Sequence, residues 1–355
     1  MAEKKSRTMS QSNKGDSEEG DEALEQQLSW RMSSEESLSD WTLIITTTQG
    51  ACVSNEQYHL HRPILAVGPC KSDYFAAVFR MPMKERTTNT SDIKLDKDAA
   101  DAVPLMLDFM YTQELGMITA EQAVSLRYLA EYFRIKLLHR KVMAFINDDM
   151  NITNVHRYVQ SAKIFYDTKI LSLSQRQCIE NIKQMDTTSP LLPSLDSEFF
   201  HEVITSSDIE PNSVSYHIST LVAAYCRLHQ GELSPEVFDK LTDSGHMPVI
   251  DKKCAMRLLQ LAAAAHPTTV LTSTCGMKTI ETTTCLQKRC IQVISEHWKE
   301  FGGTEKLLTV ATFPPMVIAE LYGRTIENAK NEMAVVEKQL DVTCQKLERY
   351  RQHNR

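Results

Sequence analysis

His59 and His61 alternate within a run of strand-forming residues, so both side chains project to one face, as two ligands of a metal site would. A zinc-like ion needs a third donor, and none follows nearby in sequence. Cys285, Cys290 and His297, with Cys275 upstream, form the other group of ligand-type residues. Their spacings match no common zinc frame, and Cys290 falls in the apolar rhythm of a helix. The nine cysteines are odd in number, scattered and without a CxxC pair. That usage suits reduced thiols serving as small core residues, not a disulfide framework. There is no glycine-rich phosphate loop, no GxSxG and no HExxH, and the whole chain has only 11 glycines. The expectation is a protein that is not an enzyme and has no catalytic residues, metal or cofactor.

Composition points the same way. The 355 residues suffice for two domains with cores of their own, and 42% hydrophobic with 24% charged residues reads as soluble and globular. A formal net charge of -7 leaves no basic footprint for nucleic acid or an anionic membrane. No apolar run approaches the roughly 20 residues of a bilayer span. The first residues, MAEKKSRTMSQSNKGDSEEG, lack the apolar core of a signal peptide, so the expected compartment is the cytoplasm, with the nucleus open.

The elements that position these residues begin late. Residues 1–37 are polar and predict a disordered tail. Within it, Leu24, Leu28 and Met32 fit either a short amphipathic helix or the tail's last apolar residues. Trp41 to Thr48 predicts a strand, Gln49-Gly50 a turn and Gln57 to His61 the returning strand. A short helix starts at Pro63, and a second carries Tyr74, Phe75, Val78 and Phe79. A polar loop over Thr87 to Ser91 leads to a short strand ending at Leu95. Helices then fit 103–110, 119–133, 135–146, 154–165, 170–185, 213–228, 235–241, 251–264 and 286–298. Thr187 to Pro193 and Thr268 to Thr284 read as loops.

After Phe313-Pro314-Pro315 a helix runs almost to the end. Ala319, Tyr322, Ile326, Ala329, Met333, Val336, Leu340, Thr343, Leu347 and Tyr350 alternate three and four apart, a heptad seam. With Ile326 and Met333 at a positions, Glu332 meets Glu337 and Lys346 meets Arg351 across a parallel homodimer, like against like. An antiparallel arrangement instead brings Glu332 near Lys346. The seam therefore fits an antiparallel coiled coil or a partner helix, and a solitary helix packed on its own domain remains open.

The order of parts from Asp40 resembles a BTB/POZ domain. The residues that carry the likeness are Asp40-Trp41-Thr42-Leu43, then Tyr58-His59-Leu60-His61-Arg62 with Ile64-Leu65-Ala66, then Ser72-Asp73-Tyr74-Phe75 and Val78-Phe79. Ile93, Leu95 and the helix end Leu107 to Thr112 continue it. Gly68-Pro69-Cys70-Lys71 is slightly longer than the usual link between the two short helices. More weakly, through helix order, the following helices resemble a BACK domain. The resemblance implies an α+β BTB/POZ fold over 38–150, an all-α BACK-like domain over 151–312 and a C-terminal helix over 313–355.

It also implies roles. His61 is the family's structural histidine. Family members pair as homodimers with an Asp and an Arg in a charged pocket, and Asp40 and Arg62 occupy those positions. Many bind cullin-3 through a hydrophobic-x-Glu motif, which Met83-Lys84-Glu85 fits, with Tyr111 at the position of a contact aromatic. The function so implied is a substrate adaptor of a cullin-3 type E3 ubiquitin ligase, acting in ubiquitination, with an unknown protein substrate. The alternative is a BTB oligomerisation scaffold in transcriptional or cytoskeletal assembly that binds no cullin.

Overall fold

The computed structural model describes residues 28–49, 52–82, 84–266, 283–301 and 313–353. The N-terminal unit is built on three strands. β1 (Trp41–Gln49) pairs antiparallel with β2 (Cys52–Leu60), Trp41 opposite Leu60 and Gln49 opposite Cys52. β3 (Thr90–Leu95) lies parallel on the other side of β1, Ile45 opposite Ile93. Alternation buries Trp41, Leu43 and Ile45 of β1 with Ser91, Ile93 and Leu95 of β3. β2 is longer than the sequence predicts. Its first half, Val53 to Gln57, is exposed at the sheet edge, so no apolar alternation announces it.

Helices cover the buried face. α1 (Ser34–Ser37) opens on a capping box between Ser33 and Glu36. α2 (Arg62–Ala66) and α3 (Asp73–Arg80) follow β2, with Ser72 capping α3 through Phe75 N–H. Gly68, at φ 89°, makes the turn of the long link between them, and Cys70 is buried beneath it. α4 (Lys84–Thr88) is one polar helical turn where the sequence predicts loop from Thr87; it buries no residue, so no stripe marks it. α5 (Lys97–Ala100), α6 (Val103–Thr112), α7 (Ala120–Tyr132) and α8 (Lys136–Asp149) complete the unit. Pro104 sits in the first turn of α6, where its missing N–H costs no bond.

The helical unit comprises α9 (Val155–Ile164), α10 (Thr168–Glu180), α11 (Leu191–Ser194), α12 (Ser197–Ile204), α13 (Pro211–Leu228), α14 (Pro235–Leu241), α15 (Lys252–Ala265), α16 (Cys285–Glu296) and the long α17 (Pro315–His353). Sequence reading misses α12, although Asp196 caps it and Phe199, Phe200, Val203 and Ile204 form its buried face. α11 begins inside the stretch expected as loop. The expected boundary at 150 is no break in packing. From α9, Tyr158 and Ala162 join the first core while Val155 and Val159 join the second. Across this junction Arg127 of α7 pairs with Asp167, both almost fully buried, and donates to Glu131 Oε1 at 2.8 Å. Asp167 also caps α10 through Ile170 N–H at 3.1 Å. Among the described residues no helix is long and apolar enough to cross a membrane.

Residues 28–37 correct one expectation. They are not a disordered tail but are fastened to α6. Trp30 Nε1–H donates to Asp108 Oδ1 at 2.8 Å, and the Arg31 fork closes on the same carboxylate, with Nη2 to Oδ2 at 2.7 Å. The Trp30 ring stands edge-on to Tyr58, centroids 5.4 Å apart. Residues 28–32 make a turn, not the end of an amphipathic helix, with Met32 N–H donating to Ser29 O at 3.3 Å. Trp30 and Arg31 spend their side chains on a carboxylate about 80 residues away, a contact without sequence period.

Candidate protein interaction surface

Asp40 and Arg62 meet at the start of β1 and α2. Asp40 N–H bonds to Leu60 O at 3.2 Å, which sets its carboxylate beside the end of β2. Asp40 Oδ1 then accepts the Arg62 backbone N–H at 2.9 Å, and Oδ2 lies 3.9 Å from Arg62 Nε. The carboxylate thus satisfies one free N–H of α2, whose own N-cap residue His61 offers no side-chain bond. The Arg62 guanidinium lies over Trp41, 4.8 Å from the ring centroid, and 5.6 Å from that of Phe79. Its Nη2 donates to Asn89 Oδ1. Asn89, at φ 55°, also accepts the Thr42 N–H at 2.9 Å through its carbonyl. Asn89 is a partner that sequence reading does not find. Half the Asp40 side chain and about a third of Arg62, 50% and 31%, face solvent.

His61 lies just inside this pair and is 7% exposed. Its Nε2 is 2.6 Å from Ser37 O and its Nδ1 2.8 Å from Tyr111 Oη, while its backbone N–H donates to that hydroxyl at 3.2 Å. One proton assignment satisfies all three: Nε2–H donates to Ser37, and Tyr111 O–H donates to Nδ1 while accepting the backbone N–H. Both ring nitrogens are therefore engaged inside the protein, and His59 sits on β2, half-buried. Burial pushes the Tyr111 hydroxyl up to about 12, opposed by the His61 N–H and aided by the Asp40 charge. Tyr111 is thus half-buried on α6, with its hydroxyl tied to His61 at the start of α2.

Met83 lies outside the described residues. Its neighbours from Arg80 to Asn89 are exposed apart from Glu85, which is half-buried in the first turn of α4. Burial, then the nearby Tyr132 and Glu85 charges, raises the Tyr74 hydroxyl above its ordinary range. Among the cysteine and histidine ligand types, Cys290 is buried, Cys285 is exposed and His297 Nδ1 bonds to Val293 O at 3.1 Å; Cys275 lies outside the described residues.

The seam residues of α17 do not form its docked face. The first turns dock on α16 through Val317, Leu321 and Thr325, with Asn328 Nδ2 donating to Ser295 Oγ at 3.2 Å. At 3.6 residues per turn the seam lies roughly a quarter turn from that stripe. Ile326, Met333, Val336, Leu340 and Leu347 are all more than half exposed, and every residue from Asn331 to Tyr350 faces solvent. Within the chain, Glu332 is held by Lys299 of the segment after α16 at 2.5 Å.

Residues 31–149 match the family model of the BTB/POZ domain, a protein-interaction domain. The match begins at the Arg31 clamp and ends at the last residue of α8.

Proposed function

We propose that the chain is a substrate adaptor of a cullin-3 type E3 ubiquitin ligase. Its BTB/POZ domain pairs with a second copy and holds the ligase, and the BACK-like helices with α17 position a protein substrate. The observation that carries this reading is the segment between α3 and β3: Met83-Lys84-Glu85 falls where chain on both sides is exposed, next to Met81, itself 49% exposed. A flexible apolar side chain beside a carboxylate held at a helical turn suits a hydrophobic pocket rimmed by basic groups. Asp40 and Arg62 form the charged centre of the dimer face, where they fix register more than they add affinity.

A reading without cullin is supported by Tyr111, whose hydroxyl is taken up by His61, and by the long bare face of α17. In that reading the chain is an oligomerisation scaffold. Co-precipitation from cells separates the two. The adaptor reading expects cullin-3 with the wild type and its loss with Met83→Glu plus Glu85→Ala. No cullin-3 with the wild type rejects the adaptor; unchanged capture by the variant rejects the site.

A further inference from the structure

We infer that α17 is a second self-association surface, separate from the BTB/POZ dimer face, and that it pairs antiparallel with α17 of another copy, seam overlapped end to end. Every residue of α17 from Asn331 to Tyr350 is exposed, with Lys299 bonding Glu332 near its start, and the apolar seam runs along that exposed length. The docked stripe anchors the first turns, where the Tyr322 hydroxyl is buried against the chain, and beyond it Ile326, Met333, Val336, Leu340 and Leu347 are held out to solvent.

Side-chain volumes along the seam choose the partner. An antiparallel pair faces each a position with a d position of the other helix, whereas a parallel pair faces like with like. End-to-end overlap puts Ala319 on Tyr350 of the second copy, Tyr322 on Leu347, Ile326 on Thr343, Ala329 on Leu340 and Met333 on Val336. Four of these five layers join a larger residue to a smaller one and are similar in volume; Tyr322 on Leu347 is the bulkier layer. The parallel pair instead stacks Ala329 on Ala329 and Tyr350 on Tyr350, leaving voids and crowding in turn.

Charge selects the same register independently. Antiparallel helices bring e to e and g to g across the seam. In this overlap Lys330 faces Glu337 of the second copy, twice by symmetry, and Glu332 faces Gln339. No like charges meet. Sliding by one heptad to pair Glu332 with Lys346 sets Glu337 against its own copy. The parallel pair opposes Glu332 to Glu337 and Lys346 to Arg351. The fork where α17 leaves α16 is open, with a notch of about 520 Å³ lined by Glu296, Asn328, Asn331, Glu332, Val335 and Val336.

Sedimentation equilibrium of the full chain tests this, because one substitution gives opposite signs for the two orientations. Glu337→Lys is expected to weaken association about tenfold, by turning two attractive pairs repulsive. Adding Lys330→Glu should restore it, and Leu340→Asp should abolish this step while circular dichroism stays unchanged. An association step lost in Arg62→Ala but not in Leu340→Asp belongs to the BTB/POZ face and is read separately. Stronger association of Glu337→Lys means parallel pairing and overturns the inference. Association indifferent to Leu340→Asp, or none at tens of micromolar, overturns it too and leaves α17 to a different protein.

Discussion

The N-terminal unit and the helical unit place their polar contacts in different ways. In the first, side chains tie distant segments to one another: His61 to Tyr111, Arg62 to Asn89, and Trp30 and Arg31 to Asp108. In the second, the interior is largely apolar with thiols, including Cys178, Cys226, Cys254 and Cys290, and several of its buried polar side chains end on main-chain atoms, while side-chain pairs such as Lys252 with Glu300 and Lys299 with Glu332 lie at the surface. Ser215 Oγ bridges both the N–H and the carbonyl of Val249 at 2.8 Å, and Arg289 reaches the carbonyls of Thr242 and Met247. A side-chain pair depends on both residue types, whereas a main-chain acceptor is there whatever the residue. The first unit is therefore specified by identity and the second mainly by volume and period.

The thiols give the largest expected contrast. Burial pushes Cys178, Cys226 and Cys290 up to about 12, so near pH 8 only about one in ten thousand is thiolate, the reactive form. Alkylation of the native chain, mapped by mass spectrometry, should label the exposed Cys285 and Cys344 at least a thousandfold faster than these three. Linkage gives the sign for stability. The folded values lie above the ordinary thiol value, so stabilisation is complete below about pH 8.5. It declines as pH rises toward about 12. Melting followed at rising pH should show the helical unit loosening over that window; equal labelling of all thiols at pH 8 would end the contrast.

The junction comes next. Arg127→Met leaves Asp167 buried with only the Ile170 N–H and is expected to cost about 3–5 kcal/mol in urea unfolding. Asp167→Asn should cost less, since Asn still caps α10 and Arg127 keeps Glu131. If Arg127→Met splits one transition into two, the shared helix α9 couples the units through this pair; a loss under about 1 kcal/mol would make the pair dispensable. Within the first unit, Tyr111→Phe strands His61 Nδ1 and the His61 N–H, a cost of about 1–3 kcal/mol. A change below about 0.5 kcal/mol would show that water replaces the hydroxyl.

The same division explains what the sequence made legible. Strand β1, the capped helix α7 and, in the second unit, helices such as α9, α13 and α15 follow alternation or a 3.6-residue period, and most of their apolar residues are buried, whereas α12 went unread despite its buried face. Asp40 and Arg62 were legible only through resemblance, because opposite charges 22 residues apart carry no local signal. Asn89, Asp108 and Asp167 were invisible for the same reason: each acts through a partner brought close by the fold. The first half of β2 and all of α4 were lost because exposed polar elements have no apolar period. The α17 seam is the reverse case. Its period was plain, yet the helix docks by a different stripe, so periodicity located an apolar face without naming what covers it.

That last point yields the smallest predicted effect on folding. Leu340 is 63% exposed, so Leu340→Asp removes no core contact, and at high dilution the chain should keep its stability within about 0.5 kcal/mol. Raising the concentration should separate the two proteins. If α17 pairs with a second copy, the wild type melts higher as concentration rises, because mass action favours the folded, paired state. The Leu340→Asp chain should lose the part of that rise due to α17 and retain any part due to the BTB/POZ face. A substitution silent at one concentration and visible at another marks a residue whose work lies between molecules. A large loss of stability at high dilution would instead mean that Leu340 packs within its own chain, and the division between docked stripe and free seam would fail.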